Sequence, residues 1–265
     1  MKFVQSNGLS YYKFEIFPND KLTHGVFTRH GGVSKDTFSS LNVGETTGDS
    51  HENVVENRKR IFNVLGRESS SIFDVWQVHS NDVVYADTPR ERGGNHIKAD
   101  AILTKSNQVS LFMQFADCVP IMVYDPEKSV IGIAHAGWQG TVKRIVQKTI
   151  DYMMDKLDCD PKNILAGIGP SIGPDHYEVG KNVLELVDQE LHDFSSSIVE
   201  ERNGKYFFNL WEANKLQLIQ SGVTQIEVAK KCTACNLNHW YSYRSEEYTS
   251  ELQSTNTISY AVFCL

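Results

Sequence analysis

The chain lacks a long apolar run, a surplus of basic residues and a disulfide pattern. No stretch of its 265 residues approaches the roughly 18–20 apolar positions that a bilayer-spanning helix needs. Lys and Arg number 26 against 33 Asp and Glu, for a net charge of −7, so the basic face that a phosphate backbone requires is missing. Neither nucleic acid nor a membrane is therefore expected as a partner. The five cysteines are odd in number and show no framework spacing, which suits a reducing cytoplasm. The opening MKFVQSNGLSYYKFEIF alternates polar and apolar residues without an apolar h-region, so no secretory signal is expected. Internal repeats and low-complexity linkers are absent as well.

What is present is an ordinary globular balance, 40% hydrophobic and 22% charged, in a length sufficient for one large domain or two small ones. Strand-like runs cover residues 9–17, 22–29, 72–78, 82–87, 99–104, 109–115, 120–125 and 130–136. Helices are expected from about Ser50 to Leu65 and from Thr141 to Leu157, the second with Thr141 as N-cap. Its apolar residues Val142, Ile145, Val146, Ile150, Met153, Met154 and Leu157 share one face, so the methionines read as core packing. Further on come a strand after Pro161, a Gly/Pro-rich turn at 169–180, a helix near 180–192, a hairpin at 198–209, a helix near 210–221 and a strand TQIEVA. The pattern describes a single mixed α/β domain built largely from antiparallel hairpins. The segment from Arg29 to Gly44 is too long and polar for a tight connection; long ordered loops of this kind often carry function, and a plain surface loop is the alternative.

The stretch Phe112–Thr141 carries the most chemistry. It reads as two apolar strands joined by a turn, interrupted at one end by Asp117-Cys118 and at the other by His135. His79 likewise follows a strand-like run, and sheet pairing can bring all three strand exits to one edge. A His2Cys set suits zinc with a fourth position open to water or substrate, and zinc lowers the pKa of a bound water toward 7. The spacing is not a compact metal motif, and each residue also has a plain structural reading: a packed thiol or a histidine bonded to backbone. A Cys118 nucleophile with His135 as base is a second catalytic reading. A closed structural metal site in a binding protein is a third, and would need four protein ligands.

Three weaker signals remain. The turn 137–141 opens a helix, and Gly169-Pro170-Ser171-Ile172-Gly173 offers a second glycine turn; both are candidate anion nests. Arg29 and Arg244 are candidate charge partners for an anion. The chain's single C-x2-C, Cys232–Cys235, with His239 after it, reads as a pair of reduced structural thiols, with a second metal site or a redox pair as the alternative.

TRHGGVS (28–34), SLNVG (40–44), WQVHS (76–80), ADAILT (99–104), ADCVPI (116–121), HAGWQGT (135–141), GPSIGPDHYEVG (169–180), CTAC and YSYR (241–244) occur in this order. Together they resemble the bacterial laccase-domain proteins, also called multicopper polyphenol oxidoreductases or peptidoglycan editing factors. The resemblance covers about residue 20 to Arg244. It implies a single-domain α/β-β/α layered fold across residues 1–243 and a zinc ion, with copper possible, held by His79, Cys118 and His135. It also implies phosphorolysis of adenosine, inosine, guanosine and methylthioadenosine, with hydrolytic deamination of adenosine. Candidate catalytic residues are then Cys118, His135 and, from its position alone, Asp117 as the acid that moves protons; Arg29, Asn42, Gln77, Ser171 and Arg244 are candidates, from position, to meet nucleoside or phosphate. Removal of wrong residues from cell-wall precursors is an alternative activity. Copper-dependent phenol oxidation is another, although it calls for many histidines at several sites and the sequence offers one cluster.

Two features depart from the family pattern. Ser80 stands where glycine is expected, a small change at a turn. From about Arg244 the chain reads RSEEYTSELQS and then ISYAVFCL, both similar to translations of a sequencing adapter; ATCTCGTATGCCGTCTTCTGCTTG translates as ISYAVFCL. Residues 244–265 are therefore expected to be a non-native tail replacing a natural terminus, Arg244 itself being either the family's residue or part of that tail, with a strand at a sheet edge missing and no meaning attached to Cys264.

Overall fold

The computed structural model describes residues 1–91, 93–245 and 259–265. One six-stranded sheet runs in the order β1 (Lys2–Ser6), β2 (Leu9–Lys13), β3 (Thr23–Phe27), β15 (Ser259–Cys264), β7 (Ser110–Phe115) and β4 (Ile72–Phe73). The second runs β14 (Gln225–Val228), β10 (Leu165–Ile168), β8 (Val119–Asp125), β9 (Val130–Ala136), β6 (Ala101–Thr104) and β5 (Val83–Tyr85). A small sheet of β11 (Glu178–Val179), β13 (Lys205–Phe208) and β12 (Val199–Arg202) lies apart from both. The pairings are antiparallel except β4–β7, β5–β6 and β10–β14.

Side-chain alternation sets the layers. On β7, Leu111, Met113 and Phe115 join Met122, Ile131 and Ile133 of the other sheet in one buried cluster, so the two large sheets pack face to face. Phe112 points the other way, against Val54, Ile61 and Phe62 of α1 (His51–Val64). On β9, Val130, Ala134 and Ala136 face α3 (Ile145–Leu157) and α6 (Leu210–Gln220). The order is helix, sheet, sheet, helix, in a single compact domain of mixed, mostly antiparallel sheets. The remaining helices are α2 (Trp138–Val142), α4 (Lys181–Glu190) and α5 (Ser195–Ile198).

Four local expectations need correction. The helix expected from Thr141 is two helices, broken where Arg144 adopts a left-handed φ of 62°. Thr141 is not its N-cap; it lies inside α2, and its hydroxyl meets the buried Asn214 amide at 3.1 Å. Met153 is buried as expected, but Met154 is exposed. The run at 72–78 yields only the two-residue β4, because Asp74 to Gln77 turn aside to line a cavity.

Residues 259–264 occupy the centre of the first sheet, not an edge. Val262 pairs with Gly25 of β3 and Phe112 of β7, and its neighbours Ala261 and Phe263 face the second sheet. Val262 and Cys264 pack on the α1 side, so both faces of the strand are buried and a continuous apolar run suits this slot. Residues 246–258, which make up most of the suspected foreign tail, lie outside the described residues.

Candidate metal centre and pocket

The β8–β9 hairpin pairs Pro120 with His135 and Val119 with Ala136, which brings Cys118 at the entrance of β8 beside His135 at the exit of β9. His79 joins them from the loop before β5. The three ligand atoms lie within 4.8 Å of one another, with Cys118 Sγ 3.9 Å from His79 Nε2. Gly137 has no room for a side chain here: a Cβ would come 2.8 Å from Cys118 Sγ and 3.0 Å from His79 Cδ2.

Asp100, unremarked in the sequence within ADAILT, organises this cluster. It is fully buried and accepts from three successive backbone N–H groups, Val78 at 3.1 Å, His79 at 3.1 Å and Ser80 at 2.6 Å. Those bonds hold His79 at a left-handed φ of 57°, a conformation a bulky side chain adopts only when its surroundings impose it. The Ser80 hydroxyl adds a bond at 2.9 Å, so the departure from glycine at this position gains a contact. Asp100 Oδ1 also accepts from His135 Nδ1 at 2.8 Å. That fixes the tautomer and leaves His135 Nε2 for a ligand, the carboxylate–histidine arrangement common at metal sites. The signal available in the sequence was a carboxylate opening an apolar strand.

The charges are coupled. Burial pushes the Cys118 thiol up, but the His135 charge and hydrogen bonds from both histidines outweigh it and bring it down to about 6. Burial pushes His135 down, and Cys118 with Asp100 reverse this, raising it to about 9. Asp100 is held at about 2, burial being outweighed by His135 and Ser80. A thiolate and two imidazole nitrogens, one of them on a carboxylate-braced ring, are the donor chemistry of a zinc-type site.

The cluster forms part of the wall of a cavity of about 660 Å³, in the range of small-ligand sites. Trp76 and Tyr243, 51% and 44% exposed, are among its lining aromatics, and Arg58 and Arg244 bring positive charge. Arg58 also pairs with Glu45 at 2.6 Å. The guanidinium of Arg244 lies over the Tyr177 ring and donates to the Glu178 carbonyl. Sequence reasoning missed Arg58, Trp76 and Tyr243 because their separation along the chain hides their shared cavity.

The expected substrate residues divide. Gln77 and Arg244 line the cavity, although both ends of the Gln77 amide bond to the Gln114 backbone. Arg29, Asn42 and Ser171 do not line it. Arg29 clamps the Ser39 and Leu237 carbonyls and covers Tyr241. Asn42, fully buried, ties Asp49 and Thr47. Ser171 is buried and accepts from Trp211 Nε1. The 29–44 loop is thus a packed clasp, pinned by Asn57, whose amide donates to the Ser40 and Asn42 carbonyls. Asp117 reaches the cavity, but its carboxylate accepts from the Thr233 and Ser242 hydroxyls and from Arg244 N–H; burial pushes its pKa up. The 169–173 turn is no anion nest, since Gly169, Ser171, Ile172 and Gly173 N–H all bond to acceptors within the chain. Nor does His239 belong with Cys232–Cys235: it meets the Tyr12 hydroxyl, and His176 takes its place.

Fold and site together define a layered α/β domain with a His2Cys group that can bind a metal beside a ligand-sized cavity. The chain belongs to the family described as Multi-copper polyphenol oxidoreductase laccase, which it matches over residues 23–254. It is 36% identical over 238 residues to a Bacillus subtilis protein named purine nucleoside phosphorylase YlmD, covering 86% of this chain and 85% of the relative. A Deinococcus radiodurans purine nucleoside phosphorylase is also 36% identical, over 230 residues, covering 86% of each. Among solved structures, YlmD from Geobacillus stearothermophilus superposes with a TM-score of 0.86 at 30% identity, covering 99% of this chain and 98% of that one. A Bacillus licheniformis hypothetical protein, YfiH, reaches 0.88 at 27% identity with the same coverage.

Proposed function

We propose that this protein is a cytoplasmic, zinc-dependent purine nucleoside phosphorylase, acting on adenosine, inosine, guanosine and methylthioadenosine. The observation that carries the reading is the His79–Cys118–His135 group in the wall of a cavity that also presents exposed aromatic faces and two arginines. Relatives covering most of the chain bear the name purine nucleoside phosphorylase. A bound zinc would act as a Lewis acid and lower the pKa of a coordinated water. The chain's own groups do the rest. Asp100 holds His135 in its ligating tautomer, Trp76 and Tyr243 offer faces for the purine, and Arg58 and Arg244 draw phosphate toward C1′ of the ribose. There a phosphate oxygen forms the new bond as the bond to the purine nitrogen breaks. Adenosine deamination is the companion activity: water, not phosphate, is the nucleophile, its oxygen bonding to C6 as the C6–amino bond breaks, which releases ammonia and leaves inosine. Asp117 serves it by bracing the Cys118 turn. The test is product analysis: inosine with phosphate must yield hypoxanthine and ribose 1-phosphate in equal amounts. Release of free ribose without phosphate dependence would reject phosphorolysis.

One observation favours a second reading. The placing of Cys118 beside His135 at paired strand ends is also that of a Cys/His amidase acting on a cell-wall precursor. That chemistry has no use for His79 as a ligand and survives metal removal, so activity retained under chelation would favour it.

A further inference from the structure

Outside this pocket, a second group of soft ligands gathers where two distant segments meet. Cys232 and Cys235 lie at the tight turn after β14, and His176 comes from the turn before β11. The three ligand atoms fall within 4.8 Å of one another. His176 Nδ1 is 3.5 Å from Cys235 Sγ and 3.8 Å from Cys232 Sγ. Ligands bound tetrahedrally at zinc–sulfur and zinc–nitrogen distances sit about 3.6 Å apart, so the spacing already matches a shared ion.

The backbone supports the arrangement. Ser171 N–H donates to the Lys231 carbonyl at 3.2 Å and Thr233 N–H to the Ser171 carbonyl at 3.0 Å, a short parallel bridge that holds the cysteine turn against the 169–177 loop. Gly173 N–H donates to Cys232 Sγ at 3.2 Å, which fixes the position of the sulfur. The approach is tight at Gly173: a Cβ there would lie 3.1 Å from Cys232 Cβ and from the Trp211 ring, and one of them would have to shift by a few tenths of an ångström. Cys232 is buried, while His176 and Cys235 are exposed, so an ion can reach the group from solvent and keep its fourth position on water.

We propose that His176, Cys232 and Cys235 form a second metal site, for a thiophilic cation of the zinc class, that clasps the 169–177 loop to the 232–235 turn. Both segments touch the pocket: Tyr177 and Ile172 line it, and Thr233 donates to Asp117. A cation in the clasp therefore steadies that wall without contacting the substrate.

The test uses the full chain, reduced, loaded with excess zinc and desalted before metal analysis. Two zinc equivalents are expected for the unaltered protein and one for Cys235→Ser or His176→Ala. As an arm independent of the pocket cluster, Cys118→Ser/His135→Ala should retain one equivalent and, with cobalt, show a thiolate-to-metal charge-transfer band that vanishes when Cys235→Ser is added. Zinc content unchanged by Cys235→Ser in both backgrounds would overturn the proposal. So would a Cys232–Cys235 disulfide, in place of bound zinc, in protein purified under reducing conditions. Cys235 is exposed, so its substitution leaves folding intact, and a circular dichroism spectrum matching the unaltered protein checks this.

Discussion

Replacing Asp100 by Asn changes one atom and tests the organisation of the centre. The carboxylate accepts five hydrogen bonds, two at Oδ1 from His79 N–H and His135 Nδ1 and three at Oδ2 from Val78 N–H, Ser80 N–H and the Ser80 hydroxyl. An amide has one oxygen, so its NH2 must face donors whichever way it turns. If it faces Oδ2's partners, two buried N–H groups lose their acceptor, at about 1–3 kcal/mol each. If it faces Oδ1's, His79 N–H is orphaned and His135 is driven to the tautomer with its proton on Nε2, which cannot ligate a metal. The charge effect agrees in sign. Asp100 is depressed from 3.8 to about 2, so it stabilises the fold above pH 3.8 and that contribution is lost as pH falls through about 2. The gap corresponds to roughly 2 kcal/mol. The expected outcome is a loss of about 2–4 kcal/mol, seen as a fall of about 5–10 °C in Tm by circular dichroism. Metal affinity should drop by about 10–100-fold in a chelator competition. A Tm within about 2 °C of the unaltered protein, with unchanged affinity, would refute the role given to Asp100.

Gly137→Ala should fold but bind metal poorly, because the new methyl group sits 2.8 Å from Cys118 Sγ; metal analysis and circular dichroism separate the two effects. In metal-free protein, Cys118 alkylation should have its midpoint near pH 6, not at the usual 9.0, and His135→Ala should move it upward. The same pair is fully charged only between about pH 6 and 9: Cys118's stabilisation is lost as pH falls through about 6, His135's as pH rises through about 9. The proposal that residues 244–265 come from adapter read-through predicts adapter codons for 258–265, and DNA with other codons would contradict it.

The hairpin of Phe112–Thr141 was legible in the sequence because its strands are continuous apolar runs with polar breaks at their ends. Alternating strands and an amphipathic helix pointed to a mixed α/β domain of antiparallel hairpins, while the layered order was implied only by the family resemblance. The convergence of His79, Cys118 and His135 was legible as strand exits, but spacing could not place them within 4.8 Å. Asp100 was hidden inside a strand-like run. Its role depends on three backbone N–H groups converging from a loop twenty residues earlier, which no periodicity reports. Arg29 and Asn42 looked functional because polar residues in a glycine-rich loop usually do; here Asn57 on α1 gathers that loop into a packed unit. His239 follows the C-x2-C closely in sequence, yet the parallel bridge between Ser171 and Cys232 brings in His176 instead.

The most direct test of the account is metal content and phosphate-dependent turnover of adenosine and inosine measured side by side on the unaltered protein and His79→Ala. The substitution should lower zinc content by one equivalent and abolish phosphorolysis together. Full turnover by a variant that has lost that zinc would contradict it.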